Sequence, residues 1–466
     1  MITASPGEVV AILPATAPTG EATLTINSGS QSSAPVSFVI VRNAFGIFAR
    51  NRNGSGPGIL QNFRSTSDQP SNTFLEAAQP GQVVTLWGTG LGIAPPEGPI
   101  EVLVGSKLAK VQYAGPAGCC AGLDQIVFEA PPDVELGCYV PVVVRAGSMV
   151  SNFVTMSVSA TGGSCFDPGG LPAKDLELIH NGRNTSFGSI VLSWDVSRLW
   201  FYPDETVQYF SAGFFRENPL RPSGPVAGAP PAGTCVVYTI PDNASLEHPD
   251  VLANDPLRLK ALDAGRELRL LGPGGVREIA RGPNGAYLAN SAITPGFFTL
   301  ENTTPLRPAG GADVGQFSVS LRVPPGVAWN ESDFLANDAF GCPHGGIWAD
   351  DYCIVERSKG LTVTWRGADP SLPVTIRGQN DLISATRPYK VLSTTYFHCT
   401  EQAVAGKFSV PPMVLMSLPI STEIGGNWAT KSVSVGHRLL TPFTASGLDV
   451  GYVVSQVSRS VLVYYE

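Results

Sequence analysis

The chain has 466 residues, with 51 glycines, 40 prolines and only 15% charged residues. Proline breaks helices and glycine weakens them, so this composition excludes a helical bundle and favours short strands joined by many turns. A hydrophobic content of 43% excludes wholesale disorder, and a net charge of −8 gives no basic footprint for nucleic acid.

No apolar run reaches the ~18 residues of a membrane-spanning helix. The start, "MITASPGEVVAILPATAPTG", has no charged segment followed by a long apolar one, so no secretory leader is visible. It is expected to be a mature start or a point inside a longer protein. Eight cysteines in a loop-rich β-like chain point to an oxidising, secreted or cell-surface location.

Residues 1–43 contain the apolar stretches "EVVAILP", "EATLTINSG" and "PVSFVIV", separated by Pro, Gly and Ser turns. Three strands are too few for a stable sandwich. The segment is expected to be the C-terminal part of a β-sandwich, or a strand segment used in assembly. Residues 44–160 carry a full series: "GQVVTLWGTG", "IEVLVGSKLAKVQYAG", "LDQIVFEAPP" and "GCYVPVVVRAGSMVSNFVTMSVS". The plan of "VELGCYVPVVVRAG" repeats that of "APTGEATLTINSG", and each is followed by a Ser-containing return strand. This is an internal repeat with its first copy truncated.

"TGGSCFDPGG", residues 161–170, reads as a linker opening a β-rich domain over 161–356. A C-terminal β-sandwich is expected over 357–466, beginning at "RSKGLTVTWRG". Strands are expected at "FGSIVLSWDV", "GTCVVYTI", "RELRLLG", "GQFSVSLRVP", "LPVTIRG", "GKFSVP", "KSVSVGHRLL" and "SVLVYYE". "PPMVLMSLP" is the best short-helix candidate. The expected fold class is all-β: tandem immunoglobulin-like β-sandwich domains with very little helix.

Gly88, Gly90 and Gly92 in "VVTLWGTGLGIAPPEGPIEVLVG" invite a nucleotide-loop reading. A dinucleotide fingerprint needs a helix after its glycines, and "IAPPEGP" cannot open one. The glycines read instead as a bend that lets the chain pass close to a neighbouring sheet.

The same stretch, with "GLDQIVFEAPPDV" and "VPVVVRAGSMVSNFVTMSV", resembles the TIG/IPT immunoglobulin-like fold. More closely, it resembles a repeat near the C-termini of large secreted bacterial proteins of unknown function. "NAFGIFARNRNGSGPGILQNF" is similar to the opening of that repeat, and the resemblance covers about residues 40–158. The second half resembles the region that often follows it, through "CFDPGGL", "SFGSIVLSW", "LDAGRELRLLGPGG", "FHCTEQAVAGKFSVPPMVLMSLP" and "FTASGLDVGYV". The resemblance implies a secreted, modular β-protein and supplies no catalytic residues. "DFLANDAFGCPHGGIWADDYCIVERSKG" is longer than the corresponding connection in those proteins.

Candidate chemistry is sparse. His180, His248, His344, His398 and His437 lie in no nucleophile motif, and no G-x-S-x-G elbow exists. Asp350 and Asp351, flanked by Trp348 and Tyr352, form a sugar-friendly cluster, although adjacent strand residues face opposite ways. Cys342, His344 and Cys353 do not have the spacing of a closed zinc site. A Cys342–Cys353 disulfide stapling the long connection is the better reading. Cys138 is expected to pair with Cys119 or Cys120, and Cys165 with Cys235, with Cys399 as an alternative partner.

No cofactor is expected. Calcium is the one candidate, at Asp242, Asn243, Asp250, Asn254 and Asp255, where turn chemistry explains the residues equally well. The sequons at Asn53, Asn184, Asn243, Asn302 and Asn330 read as loop asparagines. Trp200, Phe201 and Tyr202 cannot all face one side of a strand; a strand buried on both faces is the commoner explanation, and an aromatic contact surface is the alternative.

These readings converge on a non-enzymatic extracellular protein of adhesion, matrix or filament assembly. Its expected partners are a surface glycan or protein, or further copies joined through the N-terminal β segment. The competing reading is a carbohydrate-binding or carbohydrate-active protein centred on Trp348, Asp350, Asp351 and Tyr352.

Overall fold

The computed structural model describes residues 3–5, 8–14, 16–51, 54–92, 99–181, 185–198, 205–217, 228–241, 260–289, 295–303, 309–330, 353–384, 390–422 and 431–466. Within them the chain is all-β: several sheets and two short helices.

The N-terminal segment folds as a kinked hairpin of β1 (Gly20–Leu24) and β2 (Val36–Ile40), registered from Gly20↔Ile40 to Leu24↔Val36. Next comes a sandwich of β3 (Val83–Thr89), β4 (Ile100–Val104), β5 (Lys107–Pro116), β6 (Asp124–Glu129), β7 (Gly137–Ala146) and β8 (Val154–Val158). β5 pairs with β4 through its first residues and with β6 through the rest, and an irregularity between Val111 and Tyr113 marks the change of layer. A bulge bends a strand in this way. Val84, Leu86, Val102, Ile126, Phe128, Val142 and Met156 fill the core between the layers.

The internal repeat is visible in three dimensions. Ile26 N–H donates to Ser33 Oγ (3.0 Å), and Val144 N–H donates to Ser151 Oγ (2.9 Å). β2 and β8 are both five residues long. Every equivalent pair is 118 positions apart: 26 with 144, 33 with 151, 36 with 154. The surroundings differ. All of β8 is buried, whereas in the first copy Leu24, Val36 and Val39 are 55%, 62% and 64% exposed.

Gly88, Gly90 and Gly92 form the expected bend. A Cβ at Gly90 (φ +94°) would lie 2.4 Å from the Ala44 carbonyl oxygen, and one at Gly92 (φ +78°) equally close to that of Arg42. Only glycine permits both the positive φ and the close approach. Asp124 Oδ2 then accepts the Leu91 N–H at 2.8 Å.

The segment 161–170 is clamped rather than acting as a free linker. Asp167 is buried and accepts the N–H groups of Gly169, Leu171 and Ala229. A disulfide joins Cys165 to Cys138 on β7. Helix α1 (Ala173–Asn181) follows, burying Ala173 and Leu176 and directing Lys174 outward. Its single amphipathic face is short, and the strand-dominated reading passed over it. The expected helix at "PPMVLMSLP" forms as α2 (Pro412–Leu415), with proline in its first turn.

The remainder is built on one ten-stranded sheet. Its long strands are β9 (Thr185–Arg198), β10 (Glu205–Glu217), β11 (Thr234–Pro241), β12 (Pro373–Ile383), β13 (Val391–Gln402), β14 (Ser432–Phe443) and β15 (Val450–Tyr465). Their order is β11-β13-β12-β14-β15-β9-β10. β9 and β15 run parallel, and their neighbours in this order are antiparallel. The expected boundary at residue 357 is therefore corrected: strands from 161–356 and 357–466 interleave in this sheet. One face is apolar. A four-stranded sheet covers part of it around Phe214, Leu268 and Leu300, and a three-stranded sheet covers the rest around Trp365, Ile376 and Val435.

The disulfides differ from the expected pairings. Cys138 bonds Cys165, not Cys119 or Cys120, because Cys165 is carried beside β7 by the clamped segment. Cys235 bonds Cys399, not Cys165, because β11 and β13 place those two directly opposite. Cys119 and Cys120 are exposed free thiols at the turn after β5. The expected Cys342–Cys353 bridge lies outside the described residues.

Candidate functional site

The other face of the ten-stranded sheet is polar, and this follows from strand alternation. Side chains two residues apart share a face. Val433 and Val435 point into the apolar core, so Ser432 and Ser434 point away from it. Ile376 does the same for Arg377, Phe397 for Tyr396, and Ile190 and Leu192 for Ser193 and Asp195.

Register then brings the polar positions side by side. Arg377 stands opposite His398 on one neighbouring strand and Ser434 on the other. Ser434 stands opposite Ser460, Asp195 opposite Ser458, and Ser193 opposite both Gln456 and Tyr209. All of these except His398, with Gln379, Tyr396, Ser432 and Val207, line a groove of about 350 Å³. Small-molecule sites typically span ~300–1,000 Å³. Arg377 on β12 and Tyr209 on β10 are four strand spacings apart, about 19 Å in a flat sheet. Both line this one cavity, so the sheet curls into a trough whose floor is serine.

The hydrogen bonds of the groove are partly internal. Asp195 Oδ1 accepts from Ser458 Oγ (2.5 Å) and Ser460 Oγ (2.7 Å), and Gln456 Nε2 donates to Ser193 Oγ (2.9 Å). Burial raises the Asp195 carboxyl above its ordinary value against the pull of those two serines. Burial lowers the Arg377 guanidinium, and the nearby Tyr209 and Tyr396 phenols oppose that shift. Next to Arg377, burial and the flanking Arg377 and Arg438 hold His398 well below the usual histidine range. His398 Nε2, Thr400 Oγ1 and Tyr238 Oη are buried without hydrogen-bond partners.

Beyond the groove, α1 and the clamped segment cover the same face. Leu171, Leu176, Leu440 and Val454 pack there with Tyr139 and Phe74 of the sandwich. The Tyr139 hydroxyl meets His180 Nε2 at 3.0 Å. Burial, then the Arg50 charge, lowers His180 to about 4. A second cavity, of about 360 Å³, lies between the sandwich and α2, lined by Val150, Phe153, Val237, Met413 and Met416.

The sequence-predicted site residues are not in this groove. Trp348, Asp350, Asp351 and Tyr352 lie outside the described residues, as do Trp200, Phe201, Tyr202 and the proposed calcium residues. Among the described residues no group of three or more His, Cys, Asp and Glu could hold a metal ion. His437 is structural: its Nδ1 lies 2.8 Å from the Pro373 carbonyl oxygen, and its Nε2 accepts the Asp369 N–H at 3.1 Å. Asn302 lies in the bend after Gly296–Glu301, where its buried amide bridges Ala264, Gly315 and Phe317. The signal for the groove was present in "TIRGQ" and "KSVSVG", where the residues alternating with apolar ones are hydrogen-bonding types, and more faintly in "VSQVSRS", where Gln456 and Ser458 flank Val457.

No known protein family and no curated protein matches the chain. Among solved structures, a titin I-band fragment (I67–I69) is 11% identical, covering 82% of this chain and 93% of its own, with a TM-score of 0.11. Domains 4–9 of the surface layer protein SbsC are 10% identical, covering 94% and 54%, with a TM-score of 0.15. Latent PorU from Porphyromonas gingivalis is 12% identical, covering 85% and 34%, also at 0.15. The two disulfides suit an oxidising, extracellular setting, and no described helix is long and apolar enough to cross a membrane.

Proposed function

We propose that this chain is a non-enzymatic secreted or cell-surface protein of adhesion or matrix assembly. In this reading TIG/IPT-like units act as spacers and the groove of the ten-stranded sheet holds the ligand. The groove carries the reading: hydrogen-bonding side chains from six adjacent strands converge on one open trough. A site on paired strands is rigid, which suits holding a ligand. Among the described lining residues there is one carboxylate, Asp195, whereas glycoside hydrolysis by the usual route needs two. That supports binding over cleavage. The resemblance of residues 40–158 to a secreted bacterial repeat, and the repetition at 118 positions, support a modular extracellular chain.

The test is retention of the full chain on immobilised matrix glycans and whole cells, with chromatography of the same glycans after incubation. Retention with unchanged glycan is expected. Shortened products would overturn the non-enzymatic reading, and failure to bind any surface would overturn the adhesive one.

A further inference from the structure

The groove holds a charge that no described carboxylate answers. Arg377 is partly buried on β12, and among the described residues no carboxylate lies within ion-pair distance of it. The groove's own carboxylate, Asp195, is three strands away and already accepts two serine hydroxyls. A second arginine, Arg438, lies on the adjacent β14, where burial and then the Arg377 charge lower it. Taking a guanidinium partly out of water without a counter-charge is costly, so this end of the trough is poised for an anion.

The rest of the lining narrows the ligand class. Ser432, Ser434, Ser458 and Ser460 make a shallow floor of hydroxyls; Ser432 and Ser434 can donate and accept, whereas Ser458 and Ser460 already donate to Asp195 and offer acceptors. Tyr209 and Tyr396 stand on opposite walls, offering ring faces and phenol groups. Such a surface matches a ligand with many hydroxyls and weakly polar C–H faces. Among the described lining residues Val207 is the one aliphatic side chain, a poor match for peptide side chains. Arg377 is the one cation among the described lining residues, and in a chain of net charge −8 this does not match a nucleic-acid backbone, which needs many phosphate contacts.

We propose that the groove binds an anionic saccharide, with the carboxylate or sulfate of the sugar held by the Arg377 guanidinium and its hydroxyls by the serine floor. This rests on the groove being the ligand site, as proposed above. The planar guanidinium can give two parallel hydrogen bonds to either oxyanion, so both sources share one recognition chemistry.

The test is calorimetric titration of the full chain with a galacturonate trisaccharide, a sulfated maltotriose and neutral maltotriose. At least one anionic probe is expected to bind roughly ten- to hundredfold tighter than the neutral one, the worth of a charge-assisted contact. The anionic probe that binds identifies the group. Arg377→Gln should remove the preference, and Arg377→Lys should keep part of it. If Arg377→Gln does not fold, judged by its near-UV circular dichroism, the wild-type preference and the lysine variant decide. Equal binding of neutral and anionic probes, or a preference unchanged in either variant, would overturn the inference while leaving the groove as a ligand site. Failure of all three probes, with the chain still retained on cells or matrix, would overturn the inference alone. Failure of retention as well would overturn the adhesive reading with it.

Discussion

Val36→Ala and Val154→Ala form a matched pair, because the two valines occupy the same position in successive copies of the repeat. Val154 is fully buried in the sandwich core, and Val36 is 62% exposed. Removing two buried methyl groups costs about 1.6 kcal/mol in transfer free energy, at ~0.8 per group. The cavity left behind raises this to about 2–3 kcal/mol for Val154→Ala. Val36 is mostly in water, so its truncation should cost less than about 0.5 kcal/mol. Native-state hydrogen exchange of the β2 and β8 amides, run at low and high protein concentration, separates the two effects by location. A Val36→Ala cost equal to that of Val154→Ala, or β2 protection that grows with concentration, would refute the exposed hairpin. It would mean that a second chain covers β1 and β2 in solution, as strand donation between copies requires. A cost below about 0.5 kcal/mol at Val154 would instead refute its place in the core.

The remaining predictions concern charge and covalent structure. His180 is lowered from 6.5 to about 4, so the folded chain favours its neutral form. Its contribution is fully present above pH 6.5 and is lost as pH falls toward 4, in total about 3 kcal/mol. His180→Gln should flatten the pH dependence of urea unfolding in that window, and an unchanged slope would count against the buried neutral ring. The Cys235–Cys399 bond closes 164 residues, for which chain entropy gives about 5 kcal/mol. Replacing both cysteines by alanine should lower the urea midpoint sharply. A loss below about 1 kcal/mol would contradict that estimate. Non-reducing peptide mapping should recover the 138–165 and 235–399 pairs, with Cys119 and Cys120 alkylated.

Local chemistry wrote the strands, the bends and the repeat into the sequence. "KSVSVG" alternates because one face of β14 is dry, and Gly90 is glycine because a backbone oxygen lies where its Cβ would be. Serines at equivalent positions gave away the repeated hairpin before its coordinates did, since Ser33 and Ser151 close the same turn. The long-range pairings had no such local cause. β9 and β15 lie side by side in parallel although about 260 residues separate them, and nothing within either strand specifies the other. That pairing abolished the expected boundary at residue 357 and placed Asp195 beside Ser458. The 235–399 disulfide followed the same logic: the sheet sets Cys399 on β13 opposite Cys235 on β11, so Cys235 bonds it and not Cys165. The groove is the clearest case. The strands announce their polar positions locally, but only register and the curl of the sheet gather six such edges into one trough with Arg377 among its lining.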